Sequence, residues 1–128
     1  MQALATGIVS ILNSADIIAL TTAQAQALAT QQAFALTSDQ VAAMETRDVA
    51  SLATSAVAAL SSDQIVALRT DQAQALTTGQ AFALTSEQLL AMETQDFASL
   101  STSAIQALAT YTVSVLSSAD IIALTTAQ

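Results

Sequence analysis

Large aliphatic residues recur at every eighth position of this chain. Leu or Met occupies residue 4 and each eighth residue after it, as far as Leu124, in sixteen consecutive octads. We number the positions of an octad so that this residue stands in slot one. Slot six is apolar wherever it is present, as at Ile17, Val57 and Phe97, and slot three is Ser or Thr in every octad. The pattern defines an octapeptide repeat that fills the chain.

An eight-residue period cannot stay on one face of a continuous α-helix. Eight residues advance about 800° around the helix, so a leucine stripe drifts by about 80° in each octad. Each octad must therefore contain a break. Ser and Thr are preferred N-cap residues, so the unbroken slot three predicts an N-cap there, followed by a helix of five or six residues and a turn of one or two. Eight of the ten acidic residues stand in slots four and five, where the helix dipole favours negative charge.

These features predict an all-α solenoid, a superhelix of sixteen repeats that runs through residues 1–128 as one repeat domain. Each repeat is a short N-capped helix with a tight turn, and it is stabilised by stacking on neighbouring repeats of the same chain. The alternative is a β-solenoid, because Val and Ile in slot six also suit strands. The corners of such coils need Gly, Asn and Asp, whereas this chain has two glycines and one asparagine. Its Ala, Leu, Met and Gln residues favour helices.

A longer period is superimposed on the octads. Residues 27–59 match residues 75–107 at an offset of six octads, and residues 14–24 recur as residues 118–128. An offset of six octads accommodates two, three or six octads in each superhelical turn. Because the chain stops in the register of its N-terminal part, we expect it to be a segment of a longer array.

Composition excludes several classes of function. The net charge is −8 and only Arg47 and Arg69 are positive, so we expect no nucleic-acid partner, because phosphate binding needs a basic patch. No apolar run approaches the roughly 18 residues that span a bilayer, so membrane insertion is not expected. Cys and His are absent and the acids are spread singly. We therefore expect no catalytic residues, no metal site and no cofactor.

Two sets of polar residues admit more than one interpretation. The Ser/Thr pairs, such as Thr21-Thr22 and Thr77-Thr78, are expected to cap helices and to line turns. The alternative is a hydroxyl edge that binds a ligand or a surface. Alanine, arginine and glutamate in slot two interrupt that edge, which favours capping.

The larger apolar side chains outside slots one and six have two interpretations as well. Phe34 and Phe82 stand in slot seven, six octads apart, and are expected to fill the core. The alternative is a lateral contact patch that mediates self-association. Met44 and Met92 occupy slot one and are expected in the core, and Tyr111 in slot four is expected to be exposed.

The units at residues 19–24, 59–64 and 83–88, which read ALTTAQ, ALSSDQ and ALTSEQ, resemble the ALTTxQ octapeptide arrays of very large bacterial surface or exported proteins. Such proteins are often labelled as haem-utilisation or adhesion proteins. The resemblance covers essentially the whole chain. It implies an extracellular or cell-surface location. The repeat architecture itself, in which each octad extends the rod by a fixed increment, predicts a structural spacer or stalk and not an enzyme. The alternative function is a binding or adhesion module that uses the hydroxyl edge or the Phe34/Phe82 strip.

Overall fold

The fold is a stack of short helices, as seen in a computed structural model that describes residues 6–108, 113–124 and 128. These residues contain no strand, so the all-α prediction is confirmed and the β-solenoid alternative is wrong. Tyr111 lies outside the described residues. The helices are α1 (Thr6–Val9), α2 (Ser14–Ile18), α3 (Thr22–Gln26), α4 (Thr30–Ala35), α5 (Ser38–Ala43), α6 (Thr46–Ser51), α7 (Thr54–Ala58), α8 (Ser62–Val66), α9 (Thr70–Gln74), α10 (Thr78–Ala83), α11 (Ser86–Ala91), α12 (Thr94–Ser99), α13 (Thr102–Ala107) and α14 (Ser118–Ala123).

Three octads form one turn of the superhelix. Wherever both helices lie in the described residues, a helix packs against the one three octads later in the chain, as α1 packs against α4 and α4 against α7. Three stacks result, which we call the first, second and third sides of a triangular solenoid. The first side contains α1, α4, α7, α10 and α13, the second contains α2, α5, α8 and α11, and the third contains α3, α6, α9, α12 and α14. Of the periods that the sequence left open, the structure selects three octads for each coil.

The N-cap lies one residue earlier than predicted. Thr37, in slot two, is the N-cap of α5: its hydroxyl accepts a hydrogen bond from the backbone N–H of Gln40 at 3.1 Å. The side-chain Oε1 of Gln40 accepts a hydrogen bond from the Thr37 N–H at 2.8 Å, which completes a capping box. Slot three is therefore the first residue of the helix, not its cap. The eight acidic residues of slots four and five still lie in first turns, as predicted.

The chain turns between helices without glycine. Leu36, in slot one after α4, has φ −61° and ψ 142°, and Thr37 after it has φ −77° and ψ 161°. Two successive extended residues change the direction of the chain between the helices, and no described residue other than glycine, and no described glycine, has a positive φ. The connections are mostly two or three residues long, slightly longer than the one or two predicted.

The core is a column along the superhelical axis. Slots one and six supply most of it, including Met44, Phe97 and Leu84, each at most 1% exposed. Met92 is buried too, which confirms the core position of both slot-one methionines. An apolar void of about 10 Å³ lies among the slot-one and slot-six side chains from Leu36 to Leu76, about the size of a single water molecule. The described part of the column is thus packed and not an open channel.

Candidate functional site: inter-coil bridges and an uncharged side

The glutamine of slot five links successive coils. In α10, the Gln80 side-chain Oε1 accepts a hydrogen bond from the Thr77 N–H at 2.9 Å. Its Nε2 donates to the backbone carbonyls of Val49 and Leu52, both at 2.8 Å. These carbonyls belong to the preceding coil, in the last turn of α6 and just after it. One buried amide therefore closes its own helix cap and ties that helix to the coil below it. We call this arrangement an amide bridge.

The amide bridge recurs along the array. Each Nε2 group reaches carbonyls of slot six or seven and of slot one, slightly more than one coil earlier in the chain. Besides Gln80, the bridges join Gln40 to Val9 and Leu12, Gln64 to Ala33 and Leu36, Gln72 to Val41 and Met44, Gln88 to Val57 and Leu60, and Gln128 to Ala98 and Leu100. A net hydrogen bond contributes about 1 kcal/mol, but a buried group left without its partner costs about 1–3 kcal/mol. The bridges therefore enforce the three-octad coil.

Sequence reasoning did not identify these glutamines as structural residues. A signal was present, because Thr37 and Gln40 follow the S/T-x-x-E/Q pattern of a capping box, as do Thr77 and Gln80. That pattern assigns the cap to slot two and not to slot three. It does not reveal the second half of the bridge, because the acceptors lie a whole coil away in the sequence.

Two helices of the third side carry a different link. Asp48 in α6 and Asp96 in α12 replace the slot-five glutamine and are buried. The hydroxyl of Thr22 donates to Asp48 Oδ1 at 3.1 Å, and that of Thr70 donates to Asp96 Oδ1 at 2.7 Å. Here the lower coil donates and the upper coil accepts, which reverses the direction of the amide bridge. The slot-eight serines add a second contact to the same coil, from Ser51 to the Thr22 carbonyl and from Ser99 to the Thr70 carbonyl.

Asp48 offers a place where the amide bridge can be restored. Its Oδ2 is buried without a hydrogen-bond partner, which is costly for a carboxylate oxygen. In Asp48→Gln, we expect the new Nε2 group to donate to the carbonyls of Ile17 and Leu20, which occupy the same slots as the acceptors of Gln80. We expect the new Oε1 atom to accept from the Glu45 N–H. We expect the free energy of unfolding to rise by about 1–2 kcal/mol, measured by chemical denaturation.

Asp96→Gln is the matched control for this substitution. Asp96 accepts the shorter hydrogen bond from Thr70, and neither of its oxygens is buried without a partner. We therefore expect a smaller gain there, or none. If Asp48→Gln is less stable than the unmodified chain, an amide at residue 48 does not form the bridge to the coil below.

Both arginines are engaged by acidic neighbours. Arg69 Nε lies 3.0 Å from Asp71 Oδ1, and the hydrogen bond from Arg69 holds the pKa of Asp71 below its usual value. Arg69 Nη1 also donates to the Ala42 carbonyl at 2.6 Å, so this side chain spans two coils. Arg47 pairs with Glu45 at 2.6 Å, at a solvent-exposed position. Exposed pairs of this kind contribute little to stability.

The three sides of the solenoid differ in charge. No helix of the first side contains an ionisable side chain in the described residues. The second side carries Asp16, Asp39, Asp63 and Glu87. The third side and the connections leading into it carry the remaining acids and both arginines. The net charge of −8 therefore lies on two sides only.

Phe34 and Phe82 project from the uncharged first side. They are 63% and 61% exposed, so the prediction that they fill the core is wrong. Slot seven lies about 100° around a short helix from slot six, and slot six is the one that points to the axis. Both rings lie on the same stack of helices, in α4 and α10, two coils apart. Ala58 occupies slot seven of the helix between them, α7.

The Ser and Thr hydroxyls are used within the fold. In slot two, the hydroxyls of Thr21, Ser61, Thr77, Thr85, Ser101 and Ser117 accept hydrogen bonds from first-turn N–H groups. In slot three, Thr22 and Thr70 donate to buried carboxylates. The hydroxyl edge is thus largely a set of caps and inter-coil contacts. Among the described residues, no three acidic side chains come together as a metal-ion site would require.

No helix in the described ranges has the length and apolar character needed to cross a membrane.

A family model described as ALTTAQ repeat matches residues 9–46, 41–78 and 89–126, which together cover more than four fifths of the chain. No curated protein matches the chain. No solved structure matches it either.

Proposed function

Because this chain belongs to the ALTTAQ repeat family, we propose that it is a structural spacer or stalk segment of a large secreted or cell-surface bacterial protein, without catalytic activity. The observation that carries the proposal is the recurrence of one inter-coil contact, the amide bridge, from Gln40 to Gln128. A segment whose function is to set a distance needs identical increments.

The increment follows from the packing of the helices. Helices in contact lie about 8–10 Å apart, so each coil of three octads adds about that length to the rod. The same three octads span up to about 80 Å when fully extended. An array of this kind is a compact rod at rest, and a coil that unravels extends to roughly eight to ten times its own packed length. Both properties suit a stalk that holds another domain away from a surface.

The proposed location rests on the resemblance of the octads to arrays in large exported proteins. The charge distribution is compatible with it, since acidic side chains cover two sides of the rod and keep such a surface soluble. A binding or adhesion role is the second candidate, and the exposed Phe34 and Phe82 rings favour it.

A length series tests the spacer proposal. One or two extra copies of residues 51–74, inserted after residue 74, preserve the slot register and the identity of each side. Small-angle X-ray scattering should show the maximum dimension rising by about 8–10 Å for each copy while the cross-section stays constant. A reporter domain displayed on the array from an anchored surface should move outward by the same step.

The control is an insert of the same three octads with their residues in scrambled order. It preserves composition but places glutamine and leucine in the wrong slots, so it should form a flexible loop and not a coil. A maximum dimension that is unchanged by the ordered insert, or a cross-section that grows with it, would rule out a rod of fixed increments.

A further inference from the structure

The first side carries two exposed aromatic rings and a groove beside one of them. Beside Phe34, an open and mainly apolar groove is lined by Thr6, Thr30, Gln31, Phe34 and Ala59. Phe82 lies two coils away on the same side and is 61% exposed. A contiguous exposed apolar surface, such as the Phe34 ring with its adjoining groove, marks a candidate interaction site.

The charge distribution restricts what can cover this side. Each copy of the chain carries a net charge of −8, and the acids of the second and third sides oppose any approach that brings those sides together. The first side is the one described side whose helices carry no ionisable side chain. Two copies that meet there keep their charges on the outer surfaces, where salt screens them within about 8 Å at physiological ionic strength.

We propose that the first side is the contact surface for a second copy of this chain. The two copies run antiparallel about a two-fold axis beside Ala58, and Phe82 of each copy lies in the groove beside Phe34 of the other. Ala58 is three octads from each phenylalanine, so a two-fold axis at α7 superposes the position of one ring on that of the other. The contact is isologous and closed, and each interface forms two aromatic pairs.

The first experiment measures mass by sedimentation equilibrium. The unmodified chain, with a monomer mass of 13.0 kDa, should approach twice that mass as its concentration rises. Because each substitution acts twice in a two-fold dimer, Phe34→Gln or Phe82→Gln should raise the dimer dissociation constant by roughly thirtyfold or more. The helical circular dichroism spectrum should be unchanged, since both rings are exposed.

The matched control substitutes slot seven of the second side. Ile18 and Leu90 are 49% and 63% exposed, so Ile18→Gln with Leu90→Gln removes a similar apolar area from the charged side. This variant should remain a dimer. Three results would each overturn the proposal: a monomeric unmodified chain at every concentration, a control that dissociates as readily as the phenylalanine variants, or a mass that rises beyond the dimer.

The antiparallel arrangement is tested by cross-linking, which the absence of native cysteine makes specific. Ala58→Cys lies next to the proposed axis, so a short bis-maleimide should join two copies. Ala42→Cys, in the same slot of α5 on the second side, should give no cross-linked dimer. Efficient cross-linking through residue 42, or none through residue 58 in a chain that is dimeric by mass, would overturn the arrangement.

Discussion

Gln80→Glu is expected to destabilise the array by about 4–6 kcal/mol at neutral pH. The substitution replaces the Nε2 donor by an acceptor that faces the carbonyls of Val49 and Leu52 at a site that is 1% exposed. Two hydrogen bonds are lost, at about 1 kcal/mol each, and a charge is left buried without a partner, which costs about 3 kcal/mol more. Thermal or urea unfolding, followed by circular dichroism, measures the loss.

The effect of this substitution should depend on pH in a defined direction. The two carbonyls and the burial raise the pKa of the introduced carboxyl group in the folded state above the unfolded value of about 4.3. Below that pH both states hold the proton, and the neutral acid donates one of the missing hydrogen bonds. As pH rises from there to the folded-state pKa, the unfolded state loses its proton first and stability falls, by about 1.4 kcal/mol for each pH unit. The difference from the unmodified chain should therefore be smallest in acid.

Gln24→Glu is the control that isolates the inter-coil half of the bridge. Gln24 has the same slot and the same capping box, with the Thr21 N–H donating to its Oε1 at 2.8 Å, but it is exposed and forms no inter-coil bond in the described chain. A carboxylate oxygen serves that cap equally well, so the change in stability should stay within about 0.5 kcal/mol. Equal losses at Gln24 and Gln80 would show that the cap, and not the inter-coil contact, accounts for the effect.

Local features of the fold followed from the sequence because they depend on neighbouring residues. The eight-residue period excluded a continuous helix, and the composition of slots one and six identified the buried stripe, including Met44 and Met92. The position of the cap was missed by one residue because slots two and three both carry Ser and Thr. The glutamine three residues after Thr37 decides between them, since it closes a capping box only from slot five.

Features that depend on the coil could not be derived from the period alone. An offset of six octads can be divided into coils of two, three or six, and the choice depends on the backbone angles at the two extended residues between helices. The outward direction of Phe34 and Phe82 follows from that choice as well. Once three octads form a coil, the axis is filled by slots one and six, and slot seven has no room within the column.

A deletion of half an octad is expected to destabilise the array more than a deletion of a whole one. Removing residues 64–71 joins slot four directly to slot five, so every later octad keeps its slot register and the array loses one repeat. Removing residues 64–67 joins slot four to slot one and truncates α8. Gln72, Gln80 and Gln88 then stand half an octad out of register with the carbonyls that they reach across the junction. At about 3 kcal/mol for each broken bridge, the smaller deletion loses several kcal/mol more.

Thermal unfolding of the two deletion variants measures this difference, with the larger deletion melting at the higher temperature. Deletion of residues 48–71, three whole octads, is the control, since it restores both the slot register and the identity of each side. The deletion of residues 64–71 also moves Phe82 by a third of a coil, from the first side to the third, and so separates it from Phe34. That variant should therefore be folded and monomeric. Only an octad-long step returns each slot-five amide to its pair of carbonyls. If the variant lacking residues 64–67 melts at or above the temperature of the variant lacking residues 64–71, the octad is therefore not the unit that the bridges enforce.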